Sequence, residues 1–439
     1  MRRRGEGGGG LGTRVLTRAD AFQHIGGRLH CEAVPVERIA AEYGTPLYIY
    51  SGSTILDRYH EMHEAFAGVD RLIAYSVKAN GNLSILRLLA GAGAGADIVS
   101  GGELYRALRA GIPADRIVFS GVGKTAPEME AALEAGILGF NVESEGELRT
   151  LSAVASAHGA VAPIALRINP DIESPTPHAY TRTGHRESKF GIPSEEARRL
   201  YRLAAALPGI RVVGVDVHIG SQIQEVEPYR RALDHVLEQV DALRREGIEL
   251  EYLDLGGGFG ISYDEGAAPS ASDFAAALLP ALRDIGLRLI LEPGRYVVGP
   301  AGILLTRVLY IKEMGGKTFV ITDAGMNDLL RPSHYDGYHE VEPVVVHRGR
   351  ERARVDIVGP VCETGDFLAL DRWIDRPEEG DLLAIRMAGA YGFSMASQYN
   401  ARVRPAEVLV EGDAVRLIRR RETYEDLVRG EIELLDPVG

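Results

Sequence analysis

The chain has 439 residues, 45% of them hydrophobic and 25% charged, a length that calls for more than one domain and a balance that suits a globular enzyme. A formal net charge of -13 argues against nucleic acid and anionic membrane surfaces as partners, and no stretch approaches the roughly 18 apolar residues of a membrane span. Two cysteines, Cys31 and Cys362, make neither a disulfide framework nor a cysteine-rich metal site, which points to a reducing compartment, the cytoplasm.

Met1 to Arg4 carry positive charge, but the residues that follow, Gly7 to Gly10 among them, form no apolar run, so residues 1–28 are expected to be a disordered tail. Residues 29–53 hold a helix pattern at 36–43, the break Gly44-Thr45-Pro46 and an alternating, β-prone run at 47–50. Within residues 54–298, short apolar runs then alternate with amphipathic helix patterns. The runs fall at 72–77, 96–99, 117–120, 139–142, 164–168, 212–219, 252–255 and 289–292; helix patterns include 103–109, 127–135, 145–157, 195–206, 228–245 and 271–285. Eight such alternations predict a closed (β/α)8 barrel of the TIM type. After residue 300 the helical spacing stops, and strand-like runs at 304–312, 317–322, 342–346, 354–358, 381–386, 407–410 and 414–418 predict an all-β domain over 299–439. The run at 47–50 is expected to join that β-domain, so that the barrel is an insertion in it.

The first barrel run ends Tyr75-Ser76-Val77-Lys78-Ala79-Asn80. A lysine at the carboxyl end of a buried strand is either an ion-pair or snorkelling residue or a reactive amine at a polar mouth. Barrel enzymes build their sites at that end, often with phosphate bound by the loops after strands 7 and 8. Strand 7 ends Asp254-Leu255-Gly256-Gly257-Gly258-Phe259-Gly260, a backbone that can close on a phosphate or form a tight turn; strand 8 ends Glu292-Pro293-Gly294-Arg295. Strand 6 ends His218-Ile219-Gly220-Ser221-Gln222. The β-rich tail adds Cys362-Glu363-Thr364-Gly365-Asp366, Gly389-Ala390-Tyr391-Gly392-Phe393-Ser394-Met395 and Gln398-Tyr399-Asn400.

In this order the motifs resemble those of the fold type III decarboxylases, which bind pyridoxal 5'-phosphate on an alanine racemase-like barrel. The run Asp323-Ala324-Gly325-Met326-Asn327-Asp328-Leu329-Leu330-Arg331-Pro332-Ser333-His334-Tyr335 resembles the D-x-G-M-N-x-L-x-R-P-x-x-Y pattern of the diaminopimelate decarboxylases. The resemblance runs from about residue 29 to the end of the chain. It implies that Lys78 forms the Schiff base with the cofactor, that His218 stacks on its ring, and that Glu292 pairs with its pyridine nitrogen. Ser221, the backbone of Gly256, Gly257 and Gly258, the Pro293-Gly294 turn, Arg295 and Tyr391 would hold the phosphate and neighbouring substrate groups. A carboxylate beside the ring nitrogen keeps the pyridinium protonated and suits decarboxylation. Cys362 would return the proton, a task within a thiol's range near neutral pH.

Specificity within the resemblance rests on the far end of the substrate. A second amino-acid head calls for a guanidinium and an acid, and Arg331, Tyr335 and Arg295 would take its carboxylate and Glu363 its amine. The segment at 169–191 resembles the loop that covers the mouth of such a barrel. The resemblance also implies a homodimer with shared sites, in which Cys362 and Glu363 complete the partner's pocket. Ser76, Thr364 and the Arg- and Gly-rich start depart from the pattern. The expected reaction is conversion of meso-2,6-diaminopimelate to L-lysine and carbon dioxide. The alternatives are a decarboxylase of ornithine, lysine, arginine or carboxynorspermidine, or a silent regulatory relative, which would be expected to have lost Lys78 or Cys362.

Overall fold

The computed structural model describes residues 21–172, 188–264 and 266–435. It opens with a small antiparallel sheet, β1 (Phe22–Ile25), β2 (Arg28–Cys31) and β3 (Val34–Pro35). The expected tail therefore does not extend to residue 28. Phe22 and Leu29 are buried with Ile303, Leu305 and Val344, and the Leu29 N–H donates to the Val344 carbonyl at 2.7 Å. A four-residue strand with one buried side chain is too short to show a periodicity; it pairs with β2, which in turn is tied to Val344 from the other end of the chain. Helix α1 (Val36–Tyr43) leads to β4 (Leu47–Ser51), and α2 (Gly52–Ala65), capped by the Ser51 side chain, leads into the barrel.

Barrel strands β5 (Arg71–Ser76), β6 (Gly95–Ile98), β7 (Ile117–Phe119), β8 (Gly139–Val142) and β9 (Ala162–Asn169) pair in parallel, and the two-residue β10 (Ile192–Pro193) adds to the top of β9. β11 (Ile210–Val217), β12 (Tyr252–Asp254) and β13 (Arg288–Leu291) complete the ring, with β13 pairing back to β5. Outside lie α3 (Leu83–Gly91), α4 (Gly101–Ala110), α5 (Ala126–Ala135), α6 (Glu145–Ala157), α7 (Ser194–Ala206), α8 (Glu227–Arg245) and α9 (Ala271–Leu282). Side chains of Asn82, Ser100, Ser144 and Ser270 cap α3, α4, α6 and α9 by accepting free N–H groups of the first turn. Among the described residues no helix is long and apolar enough to cross a membrane.

Alternation along the strands divides the barrel into two environments. Ile73, Tyr75 and Val77 pack into the large core shared with the helices, whereas Leu72, Ala74, Val118, Ala165, Val213, Tyr252 and Ile290 form a separate cluster. Tyr252 fills the bottom of the cylinder, and a Cβ on Gly139 would lie 2.5 Å from its hydroxyl oxygen. One turn higher the inward positions become polar: Ser76, Asp97, Asn141, Arg167, Asp216, Asp254 and Glu292 are all buried.

The short helix α10 (Arg295–Val298) links the barrel to the second domain. There, β14 (Gly302–Met314) and β15 (Lys317–Thr322) precede a single turn, α11 (Arg331–Tyr335). β16 (Val341–Pro343), β17 (Arg352–Val358), β18 (Phe367–Asp375), β19 (Leu382–Ile385), β20 (Ala406–Glu411) and β21 (Ala414–Arg419) follow, then α12 (Tyr424–Val428). The sheet runs β18-β17-β15-β14-β4-β20-β21, with β19 also on β14 and β16 on β19. β4 thus lies inside the C-terminal sheet. The expected all-β tail is interrupted by α11 and α12, and β18 has no counterpart among the expected runs.

The two domains are joined by hydrogen bonds at the segment carrying Lys78. The Tyr391 N–H donates to the Ala79 carbonyl at 2.8 Å, Asn80 Nδ2 to the Gly389 carbonyl at 3.2 Å, and Asn82 Nδ2 to Glu407 Oε2 at 2.9 Å.

The Tyr252 hydroxyl is buried with no hydrogen-bond partner among the described residues. Tyr252→Phe is therefore expected to raise stability by about 1 kcal/mol, and Gly139→Ala to lower it by about 1–3 kcal/mol through overpacking. The double variant should recover most of the loss. Urea unfolding of all three measures this, and a harmless Gly139→Ala would show that the ring is not held in place.

Candidate active site

The carboxyl ends of the barrel strands open into a cavity of about 780 Å³ walled on one side by the β-domain. Of the residues singled out by sequence, Lys78, His218, Ser221, Gly258, Glu292, Gly294, Arg295, Arg331, Tyr335 and Tyr391 line it. Gly256, Gly257 and Pro293 are behind the lining. The Gly257 N–H donates to His218 Nδ1 at 3.1 Å, and the Pro293 carbonyl accepts from the Ser76 N–H at 3.2 Å. Cys362 and Glu363 are not on this wall. They are exposed on a β-domain loop, where the Cys362 N–H donates to Asn400 Oδ1 at 2.7 Å and Tyr399 donates to Glu363 at 3.3 Å.

After β5 a turn of 3-10 helix aims Lys78 into the cavity, to which its side chain is 34% exposed. Its Nζ lies 3.0 Å from Asp97 Oδ2, which also accepts from Ser76 Oγ at 2.6 Å. Burial disfavours the ammonium, but Asp97, with Tyr391 and Glu292, more than offsets that and holds its pKa above the ordinary lysine range. His218 behaves oppositely. Burial, reinforced by Arg167 and Lys78, lowers its pKa well below the usual value, so the imidazole is neutral. Because Nδ1 accepts from the Gly257 N–H, the proton is on Nε2.

Opposite Lys78, Glu292 is held in a closed circuit. Ser120 Oγ donates to Glu292 Oε1 at 3.3 Å; Asn141 Nδ2 reaches Ser120 Oγ at 3.1 Å and Asp254 Oδ2 at 3.2 Å; and Asp254 hydrogen-bonds the Glu292 side chain. Burial, then the charges of Asp254, Asp97 and Asp216, raises the Glu292 pKa well above the carboxylate range, and burial pushes Asp254 up to about 7. Two carboxyls that close share a proton. Arg167 is paired with Glu143 at 3.2 Å beside this floor.

The other wall is cationic. Arg295 is buried; its guanidinium donates to the Tyr263 hydroxyl and, at 3.3 Å, to Ser221 Oγ, lies 4.7 Å from the Tyr391 ring centroid, and leaves Nε without a partner. Arg331 and Tyr335 are the first and last residues of α11, one helical turn apart and hence on one face. Arg331 stacks 4.4 Å from the Tyr263 centroid and meets His339 Nε2 at 2.7 Å. Among the described residues these two guanidiniums meet hydroxyls, an imidazole and ring faces, none of them a carboxylate. Buried cations left this way call for anions from a ligand.

The cavity therefore has a flat neutral imidazole, a proton-holding acidic floor, an amine and two anion-seeking guanidiniums. These features fit pyridoxal phosphate: a ring to stack, a basic ring nitrogen to meet Glu292, an aldehyde for Lys78 and a phosphate for the cationic wall. The sequence reading missed Asp97, Ser120, Asn141, Arg167, Asp216, Asp254, Tyr263 and His339. For the barrel residues a signal existed, since each is a polar residue at an alternate position in or just past an otherwise apolar parallel strand. Tyr263 and His339 sit in irregular loops and gave none. Of the expected cover at 169–191, residues 173–187 are outside those described; Phe190 lines the cavity, and the Gly191 N–H donates to Glu143 Oε2 at 2.9 Å.

Residues 52–299 match the family model for the pyridoxal binding domain of pyridoxal-dependent decarboxylases. The diaminopimelate decarboxylase of Aquifex aeolicus is 48% identical over 414 residues, covering 94% of this chain and 98% of the relative. That of Neisseria meningitidis serogroup B is 51% identical over 407 residues, covering 93% and 98%. The crystal structure of diaminopimelate decarboxylase from Helicobacter pylori complexed with L-lysine matches with a TM-score of 0.88 at 45% identity, covering 91% of this chain and 100% of that one. The chain belongs to the diaminopimelate decarboxylases, a branch of the pyridoxal-dependent decarboxylase family.

A raised carboxyl pKa has a consequence for stability. Between its ordinary value near 4 and about 7, Asp254 binds a proton in the folded state and not in the unfolded one. Its contribution is therefore fully present at acid pH and lost as pH rises through about 7. The cofactor-free enzyme is expected to lose Tm from about pH 4 to about pH 7 and to level off above that, and Asp254→Asn to flatten that slope. Calorimetry across the range measures it; equal slopes would assign the effect to other groups.

Proposed function

We propose that this chain decarboxylates meso-2,6-diaminopimelate at its D-centre to L-lysine and carbon dioxide, the last step of lysine biosynthesis by that route, in the cytoplasm. The observation that carries the reading is the pair of buried guanidiniums without carboxylate partners, Arg295 and Arg331, on the wall facing Lys78. One anion can be the cofactor's phosphate. The second is supplied by a substrate with a carboxylate at its far end.

Pyridoxal phosphate, when bound, supplies the electron sink for the bond to the departing carboxylate. Lys78 would hold it, and Asp97, 3.0 Å from Nζ, orients the amine. Glu292 would keep a proton at the ring nitrogen, helped by the surplus of buried carboxyls, while His218 would offer the ring its flat neutral imidazole. Ser221, Arg295, Tyr391 and the backbone of Gly258 and Gly294 hold the phosphate. Arg331 and Tyr335, together with Arg295, take the distal carboxylate.

Two further groups come from a second copy. Cys362 and Glu363 are exposed on a loop made rigid by Asp366, which accepts from the Met326 and Val361 N–H groups, each at 2.6 Å. A fixed thiol and carboxylate that do not line the cavity of their own subunit are suited to close a neighbour's. In a homodimer the partner subunit's Cys362 returns the proton to the substrate Cα, and the partner subunit's Glu363 meets the distal amine.

Lys78→Ala is expected to abolish the visible absorbance of bound cofactor. Cys362→Ala should keep it and slow turnover about 10²- to 10⁴-fold; full activity would remove the thiol from the reaction. Arg331→Ala should raise the KM for diaminopimelate about tenfold to a hundredfold, the range for a hydrogen bond to a charged group. Faster turnover of ornithine, lysine or carboxynorspermidine than of diaminopimelate by the wild type would overturn the substrate assignment.

A further inference from the structure

We infer that His339 is a positioning residue for substrate specificity: as a neutral acceptor it fixes the Arg331 guanidinium so that the remaining N–H groups meet the distal carboxylate. This rests on the assignment of Arg331 to that carboxylate. His339 has no solvent exposure and does not line the cavity, so it acts through another residue.

The tautomer follows from the partners. His339 Nδ1 lies 2.7 Å from the Arg386 carbonyl oxygen, which only accepts, so Nδ1 carries the proton. Nε2 is then a bare acceptor, and it lies 2.7 Å from an Arg331 nitrogen, which only donates. Both contacts require the same neutral ring. A second proton would set N–H against N–H, and burial, followed by the Arg331 charge, lowers the imidazole pKa to about 3.

Tyr263 completes the arrangement. Its ring lies under Arg331 at 4.4 Å and meets His339 edge-on, with centroids 5.2 Å apart and planes at 80°. The guanidinium therefore has one face covered and one nitrogen fixed, while the Gly337 N–H ties the backbone of Arg331 at 3.2 Å. A carboxylate in place of His339 would fix the same geometry but cancel the charge and compete with the substrate's carboxylate. A neutral imidazole orients Arg331 and leaves its charge available.

The test compares holoenzyme of wild type, His339→Ala, His339→Gln and Arg331→Ala. It reads kcat and KM for diaminopimelate and the inhibition constants of L-lysine, which keeps the distal carboxylate, and 1,5-diaminopentane, which lacks it. For His339→Ala we expect KM and the L-lysine constant to rise together about tenfold, the scale of one hydrogen bond to a charged group. The kcat should stay within about twofold, with the diamine constant unchanged. His339→Gln should recover part of the loss, since its amide oxygen can accept where Nε2 did, and it carries the same comparison if the alanine variant does not fold. Equal weakening of the diamine would mean general structural damage and overturn the inference. Loss of affinity in Arg331→Ala but not in either His339 variant would overturn it while leaving the substrate reading intact. An unaffected Arg331→Ala would sink both.

Discussion

The ion pair between Lys78 and Asp97 holds an amine and a carboxylate inside a cylinder whose lower layer is apolar. Neither could be buried there alone, since an uncompensated ion in such a setting costs several kcal/mol. The pair is one part of a larger balance. Glu143, Asp216, Asp254 and Glu292 surround it with Arg167 as the further cation among the described residues, so carboxyls outnumber bases there and the floor retains protons. A site that holds protons beneath a basic ring nitrogen favours the charged ring, and the charged ring relieves the crowding of carboxyls. The acidic floor is thus unfavourable in the empty barrel and suited to its cofactor.

This arrangement needs the bottom of the barrel to be tightly filled. Tyr252 occupies the space left by Gly139 and Gly214, closing the lower end with an apolar plug. Water is kept from entering below, so the charges above sit in a medium of low polarity, where each acts more strongly on its neighbours. From above, the β-domain supplies Arg331, Tyr335 and Tyr391, tied to the Lys78 segment through Ala79 and Asn80. β4, inside the C-terminal sheet, explains how a domain interrupted by a whole barrel stays in register with the cavity: its two neighbours, β14 and β20, hold both halves of the chain together.

Much of this was legible in the sequence because its signals are local or ordered. Alternating apolar runs revealed the barrel, and motifs at strand ends revealed Lys78, His218, Glu292 and Arg295. What escaped depends on contacts across the chain. β1 is four residues long and pairs with β2, whose Leu29 is held by the Val344 carbonyl from the far end of the chain. The single turn α11 is too short for periodicity, though it sets Arg331 and Tyr335 side by side. Reading the strands as apolar runs concealed Asp97, Asp216 and Asp254, whose inward alternation is itself the record of a polar interior. The glycines of 256–258 had two readings, and geometry gives weight to each: Gly258 lines the cavity with φ at 94°, while Gly256 packs against His218.

The separation of charge across the cavity bears on substrate choice. In the proposed reading Lys78, Asp97 and Glu292 would receive the reacting end of an amino acid, and Arg295 and Arg331 its far end. A diamine or basic amino acid would bring an ammonium to two guanidiniums that have no carboxylate beside them among the described residues, a like-charge encounter in a desolvated site. A second amino-acid head reverses the sign for its carboxylate but still carries an amine that the wall cannot satisfy. Recognition of both halves of that head would therefore call for a further acid, and in the proposed homodimer the exposed, backbone-anchored Glu363 of a second copy would provide one. On the proposed reading a dimer would be part of the specificity, since one subunit would attract the distal carboxylate and only two together would accept the whole head.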